Sequence, residues 1–170
     1  MDCKGYNKLN EIIFLQIRPT ISIMFLSELI TATDLKQWAD TKECQQYLPL
    51  LVRKLIRATV PSVESLSIPC GDSTHLPGWD GRVVSLSDIH NVPKGKSVWE
   101  FGCDQYNKQK ANRDFIKRTA DSRGEDIEET TFVFVTPREW QNVDVWVQEK
   151  KRDSKWKEIV VIIKGMKIEK

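Results

Sequence analysis

Cysteine and histidine are scarce in this sequence. The 170 residues include 4 cysteines, at positions 3, 44, 70 and 103, and 2 histidines, at positions 75 and 90. No two cysteines form a Cys-x-x-Cys pair, and a structural zinc site needs ligands in close pairs, so zinc is not expected. Disulfide-rich secreted scaffolds are shorter and denser in cysteine. The pattern favours free thiols in a reducing cytoplasm.

The sequence also lacks an uninterrupted apolar run that is long enough to cross a bilayer. The stretch from Ile12 to Ile30 is strongly apolar, but Arg18 and Pro19 interrupt it, whereas a membrane span needs about 20 apolar residues with few charges. It also lacks the ordered basic, apolar and small-residue regions of a signal peptide. Residues 1–23 therefore either pack on the core as a strand or helix, or form an upstream extension with Met24 as the start of the domain.

A strong net charge of one sign is missing as well. The 26 Lys+Arg and 24 Asp+Glu residues give a formal net charge of +2, so charge alone identifies no nucleic-acid partner. The length and the 40% hydrophobic and 29% charged content are typical of one globular domain with a sizeable core. We divide the chain into an N-terminal extension of undecided structure, residues 1–29, and one α/β domain, residues 30–170.

Hydrophobic periodicity predicts the order of elements in that domain. A short helix follows Thr33-Asp34, and a second helix begins near Pro49, since apolar residues from Leu51 to Ile56 recur at helical spacing. Shorter apolar runs and turn residues then predict strands over 63–68, 82–86 and 97–101, a helix over 111–120, a strand over 131–135, a helix over 140–150 and a strand over 158–163. Three consecutive strands predict an antiparallel meander, and the later strand-helix-strand predicts a parallel crossover. The expected fold is α/β, with a mixed β-sheet flanked by helices.

Two acids at strand ends form the candidate site. Asp80 lies in Gly-Trp-Asp-Gly at the entry to the second strand, and Glu100 lies near the end of the third. In a hairpin the start of one strand lies beside the end of the other, so the two carboxylates converge. Together with the Phe101 carbonyl they suit Mg²⁺ or Mn²⁺, which can activate water against a phosphodiester. Lys110, or as second choice Lys108, supplies a cation from the next helix.

Each of these residues also has a purely structural interpretation. Asp-Gly is a common hairpin turn, so Asp80 can serve the turn alone. Glu100 can be an exposed residue of its strand, and Lys110 a solvated helix residue. Their placement at one edge of the sheet nevertheless favours a site. Glu64, near the first strand, is a weaker candidate for an accessory acid, and Trp79 is of interest because it precedes Asp80.

Four segments of the chain carry a resemblance to a known family. In order they are Leu-Pro-Gly-Trp-Asp-Gly, Ser-Val-Trp-Glu-Phe-Gly, Lys-Ala-Asn-Arg-Asp-Phe-Ile-Lys-Arg-Thr-Ala and Thr-Phe-Val-Phe-Val-Thr-Pro-Arg-Glu-Trp. They resemble the N-terminal nuclease-like domain of bacterial STAND NTPases, some of them antiviral sensors, within the PD-(D/E)XK restriction-endonuclease superfamily. The resemblance covers residues 30 to 163. It implies a restriction-endonuclease-like core of order α-β-β-β-α-β-α-β.

The resemblance also implies a function. That function is Mg²⁺-dependent cleavage of DNA in antiphage defence, in the cytoplasm and away from any membrane. A STAND NTPase region or partner chain would oligomerise the domain. The length of the chain leaves open whether it is a complete protein or a fragment.

In this resemblance Asp80 matches the first acid of the motif and Glu100 the second. The motif's lysine, two residues after the second acid, is replaced by Gly102. Some members supply the cation from the following helix, which fits Lys110. If no lysine takes that place, the domain is a catalytically inactive module that binds nucleic acid or protein. The candidate DNA contacts, which are basic residues of the following helix, are Arg113, Lys117 and Arg118.

Overall fold

The structure is a computed structural model that describes residues 31–70, 78–89 and 91–163. Contacts divide the chain into two units, residues 1–34 and 35–170, and the candidate site belongs to the second unit. The alternatives for residues 1–23, both histidines and Cys3 lie outside the described residues. Within the described ranges, no helix is long and apolar enough to cross a membrane.

Four helices and five strands make up the described part of the chain. The helices are α1 (Ala32–Ala39), α2 (Lys42–Thr59), α3 (Asn107–Ala120) and α4 (Val143–Asp153). The strands are β1 (Val63–Ser67), β2 (Gly81–Ser85), β3 (Gly95–Phe101), β4 (Thr130–Val135) and β5 (Glu158–Ile162). They form one sheet in the order β1-β2-β3-β4-β5. The first three strands pair antiparallel and the last three parallel, which confirms the predicted mixed α/β sheet.

The two faces of the sheet are covered by different helices. Successive strand residues point to opposite faces, so Trp99 packs with Leu48 and Ile56 of α2. Val98 packs instead with residues of α3 and α4, among them Phe115. Glu100 is two residues from Val98 and shares its face of the sheet. The carboxyl of Glu100 therefore lies in the layer between β3 and α3.

Helix α2 begins earlier than the sequence pattern predicts. Thr41 caps it, since its Oγ1 accepts a hydrogen bond from the Cys44 amide at 3.3 Å. Pro49 therefore lies inside the helix, and the prediction that it marks the first turn is wrong. A proline lacks the N–H that an interior helix position donates, but the apolar face of α2 packs on the sheet. Tertiary packing thus outweighs the local preference for a helix start at Pro49.

One pair of cysteines corrects the expectation of free thiols. Cys44 in α2 and Cys103 just after β3 form a disulfide, with Cα atoms 6.4 Å apart and a sequence separation of 59 residues. Cys70 is a free, half-buried thiol. The sequence offers no sign of the pair because the two cysteines meet only when α2 packs on the end of β3. The disulfide ties that strand end, next to the candidate site, to the helix layer.

Reduction of this disulfide should lower the free energy of unfolding by about 2–4 kcal/mol, because the bond closes a long loop in the unfolded chain. Urea unfolding with and without a reducing agent measures the change, and Cys44→Ser/Cys103→Ser is the matched variant that should no longer respond to the reductant. Equal stability of the wild type in both conditions would contradict the assignment. So would alkylation of Cys44 and Cys103 in the unfolded protein without prior reduction.

Candidate functional site

Asp80 is held against the end of β3. The antiparallel ladder of β2 and β3 ends at the pair Gly81 and Trp99. One residue before Gly81, Oδ2 of Asp80 accepts a hydrogen bond from the backbone N–H of Phe101 at 3.0 Å. A side chain thus continues the strand pairing where the backbone ladder stops. The structure places the first predicted acid beside the strand that carries the second.

Glu100 is buried, with only 4% of its surface exposed, so its interpretation as an exposed strand residue is wrong. Oε1 of Glu100 accepts a hydrogen bond from Nε of Arg118 at 2.5 Å. Burial raises the pKa of Glu100 to about 8, and the charge of Asp80 adds to this rise, while Arg118 lowers the pKa in part. The carboxyl therefore keeps its proton more readily than an exposed glutamate does.

Arg118 belongs to the site, which corrects its prediction as a DNA contact. It is 5% exposed, so a phosphate in solvent has no access to its guanidinium. Besides Glu100, Arg118 donates through Nη2 to the carbonyl of Gly78. Its guanidinium carbon lies 4.6 Å from the ring centroid of Trp79. Trp79 itself is 5% exposed and is a packing residue of the interior.

Lys110 forms an ion pair with Asp114, through Nζ and Oδ2. Asp114 also contributes to the raised pKa of Glu100, so it lies within electrostatic reach of that carboxyl. Sequence reasoning missed Asp114. The available signal was spacing, because Lys110, Asp114 and Arg118 follow one another at intervals of four residues and so share one helix face. We call these three residues the α3 ladder.

Gly102 has no room for a side chain. A Cβ at this position would lie 2.6 Å from Cζ of Phe134 and 3.2 Å from Cγ of Lys110. The stem of Lys110 therefore lies beside Gly102. Lys108, the second choice, is exposed, and its backbone N–H binds Oδ1 of its neighbour Asn107. Of the two lysines, Lys110 is therefore the one whose stem lies beside Gly102.

The other predicted residues lie outside the site. Arg113 pairs with Asp104 at 3.6 Å, and its side chain is 67% exposed; Lys117 is exposed as well. Glu64 is exposed and lies near the end of β1 where Val63 pairs with Ser85, the opposite end of β2 from Gly81. The structure therefore does not bring Glu64 to Glu100.

The predicted ligands of a cation are the carboxylates of Asp80 and Glu100 and the backbone carbonyl of Phe101. Among the described residues, no group of three or more His, Cys, Asp or Glu side chains is arranged to hold a metal ion. Arg118 donates to Oε1 of Glu100, and the Phe101 amide donates to Oδ2 of Asp80. Within the same ranges, the other oxygen of each carboxylate accepts no hydrogen bond. Hard oxygen donors suit Mg²⁺ and Mn²⁺.

Comparison of the chain with models of protein families, with curated proteins and with solved structures finds no match. The chemistry of the site is therefore inferred from its own residues. These are three acids, Asp80, Glu100 and Asp114, and two bases, Lys110 and Arg118, gathered between β3 and α3. Acids and bases therefore alternate at the end of β3, with both basic side chains paired to an acid.

The raised pKa of Glu100 predicts how stability depends on pH. Between the unfolded pKa of 4.5 and the folded value of about 8, the folded state keeps a proton that the unfolded state has lost. Stability should therefore fall as pH rises through this window, by at most about 1.4 kcal/mol per pH unit. Urea unfolding in EDTA measures the slope, with Glu100→Gln as an isosteric control. Equal slopes for both proteins would contradict the assignment.

The closeness of Phe134 to Gly102 predicts that Gly102→Ala overpacks the site. The aromatic ring is rigid, so the variant should lose about 1–3 kcal/mol of stability. Thermal or urea unfolding measures the loss. Phe134→Leu makes room for the new methyl group. The stability lost through Gly102→Ala should therefore be smaller in the Phe134→Leu variant than in the wild type. An alanine that costs nothing in the wild type would show that the space beside Gly102 is open.

Proposed function

We propose that this chain is a Mg²⁺-dependent nuclease domain of the PD-(D/E)XK type, which hydrolyses phosphodiester bonds of DNA. One observation carries the proposal. Cγ of Lys110 lies 3.2 Å from the position that a Cβ of Gly102 would occupy, so a lysine of α3 stands beside the place where the motif lacks its own. Asp80 and Glu100, on adjoining strand ends, supply the two acids of the same motif.

The residues of the site divide the chemistry among them. Asp80, Glu100 and the carbonyl of Phe101 would hold Mg²⁺ or Mn²⁺. When bound, such an ion activates water and offsets negative charge on the phosphate. Lys110, whose side chain is 23% exposed, is accessible to substrate and would stabilise a phosphate oxygen as a point charge. Asp114 keeps the ammonium group at the site through their ion pair.

The exposed face of α3 is the proposed contact with DNA. Phosphate neutralisation supplies much of the affinity for nucleic acid, and Lys108, Arg113 and Lys117 are exposed basic residues on the helix that carries Lys110. We further propose that the domain is an effector of antiphage defence, activated when a STAND NTPase region or partner chain oligomerises it. The support for this step is the resemblance of the four segments alone.

A second function is favoured by a different observation. Gly102 stands where the motif has a lysine, and the ammonium group of Lys110 already pairs with Asp114. If Lys110 gives up none of that pairing to a phosphate when DNA is present, the site has no cation for catalysis. The domain would then be an inactive nuclease-like module that binds nucleic acid or a partner protein.

Plasmid cleavage in Mg²⁺ or Mn²⁺ tests the two functions. Asp80→Asn, Glu100→Gln and Lys110→Met should each lower the rate about 100-fold or more, as loss of a group that stabilises transition-state charge does. Lys54→Met is the control and should stay within about threefold of the wild type, because Lys54 is an exposed lysine of α2, the helix on the other face of the sheet. Equal cutting by all variants would remove the catalytic assignment.

The inactive module predicts a different result. The wild type would bind DNA in a gel-shift assay but leave it uncut, even when fused to a dimerising partner. Equal affinity of the wild type and Lys110→Met for DNA would support this second function. It would show that the ammonium group, paired with Asp114, does not contribute to DNA binding.

A further inference from the structure

Arg118 contacts three parts of the site at the same time. Its Nε donates to Glu100 on β3, its Nη2 donates to the carbonyl of Gly78, and its guanidinium lies over the ring of Trp79. These contacts join the strand that carries one proposed metal ligand to the segment that carries the other, since Asp80 follows Trp79 directly. A single planar group thus links the two segments that carry the predicted ligands.

The orientation of this guanidinium is fixed by its surroundings. Trp79, on which it stacks, donates through Nε1 to the carbonyl of Ser122 at 3.2 Å. The same ring packs edge-on against Phe132 and Trp156, with centroids 6.4 and 6.0 Å away. Because the donors of an arginine form a rigid fork, a fixed plane also fixes the separation of the two acceptors.

The two acids need such a bridge because they repel each other. Asp80 and Glu100 lie on adjoining strand ends, where two ionised carboxylates repel each other. Asp80 is attached to β3 only through the Phe101 amide among the described hydrogen bonds. The cation of Arg118, 5% exposed, offsets the repulsion from inside the protein, where charge interactions are little screened.

We infer that Arg118 is a positioning residue, which sets the distance between Asp80 and Glu100 and thereby preforms the cation site. The inference rests on the proposed function for the identity of the ligand, a divalent cation. A merely structural arginine would change stability alone. A positioning arginine also controls the local bond between Phe101 and Asp80, and the affinity for the cation.

Amide hydrogen exchange at Phe101 tests the positioning without any metal. Arg118→Lys keeps the charge but cannot bridge Glu100 and Gly78 with one fixed plane, so the Phe101 amide should exchange at least about tenfold faster than in the wild type. Arg152→Lys is the matched control, since Arg152 is an exposed arginine of α4 with a side chain 74% exposed. It should leave this amide unchanged. Unchanged protection of Phe101 in Arg118→Lys would overturn the inference.

Titration with Mn²⁺ in the absence of DNA separates this inference from the proposed function. Arg118→Lys should bind Mn²⁺ about 10- to 100-fold more weakly than the wild type and Arg152→Lys, the usual cost of losing a group that orients a metal ligand. A wild type that binds no Mn²⁺ would contradict the proposed function, while the exchange rate of Phe101 still decides the role of Arg118. Equal affinity of the three proteins would overturn the inference.

A second variant covers the case in which Arg118→Lys does not fold. Glu100→Gln/Arg118→Met removes both buried charges together and keeps similar volumes, which is often tolerated where removal of one partner is not. Glu100→Gln alone retains the Gly78 and Trp79 contacts. The double variant should therefore exchange the Phe101 amide about tenfold faster than Glu100→Gln, and equal rates would overturn the inference.

Discussion

A carboxyl group taken out of water must keep a proton or find a positive partner. Both apply to Glu100, since burial raises its pKa to about 8 while Arg118 lowers it in part. The contact with Arg118 also has a geometric role. Arg118 also binds the carbonyl of Gly78, Asp80 follows two residues later, and Asp80 accepts a hydrogen bond from Phe101, the neighbour of Glu100. These contacts connect α3, β3 and the segment before β2 in a closed series, so the geometry of the site depends on the buried guanidinium of Arg118.

The sheet supplies the setting for these contacts. Strand β3 is central, with an antiparallel neighbour, β2, on one side and a parallel neighbour, β4, on the other. The end of β3 therefore lies between the start of β2 and the end of β4. Helix α3 is the crossover from β3 to β4 and packs on the same face as Glu100. The α3 ladder, with charges that alternate in sign, thus lies beside the strand end where the carboxylates of Asp80 and Glu100 are found.

Local patterns sufficed to predict much of this architecture from the sequence. Apolar runs bounded by turn residues marked all five strands, and the position of two acids at strand ends indicated the site. The sequence did not reveal Asp114 or the role of Arg118, because a charged residue in a helix is typical of a solvated face until its packing partner is known. The Cys44–Cys103 pair and the true start of α2 depend likewise on contacts between distant residues.

We propose that Asp80 and Glu100 hold a divalent cation beside Lys110. The most direct measurement is the anomalous diffraction of Mn²⁺ in crystals of the full chain grown near pH 8, where the carboxyl of Glu100 ionises. We expect one strong peak between the two carboxylates, about 2.0–2.4 Å from an oxygen of each, with Arg118 still bound to Glu100. An empty site in crystals saturated with Mn²⁺, or a peak confined to other residues, would contradict it.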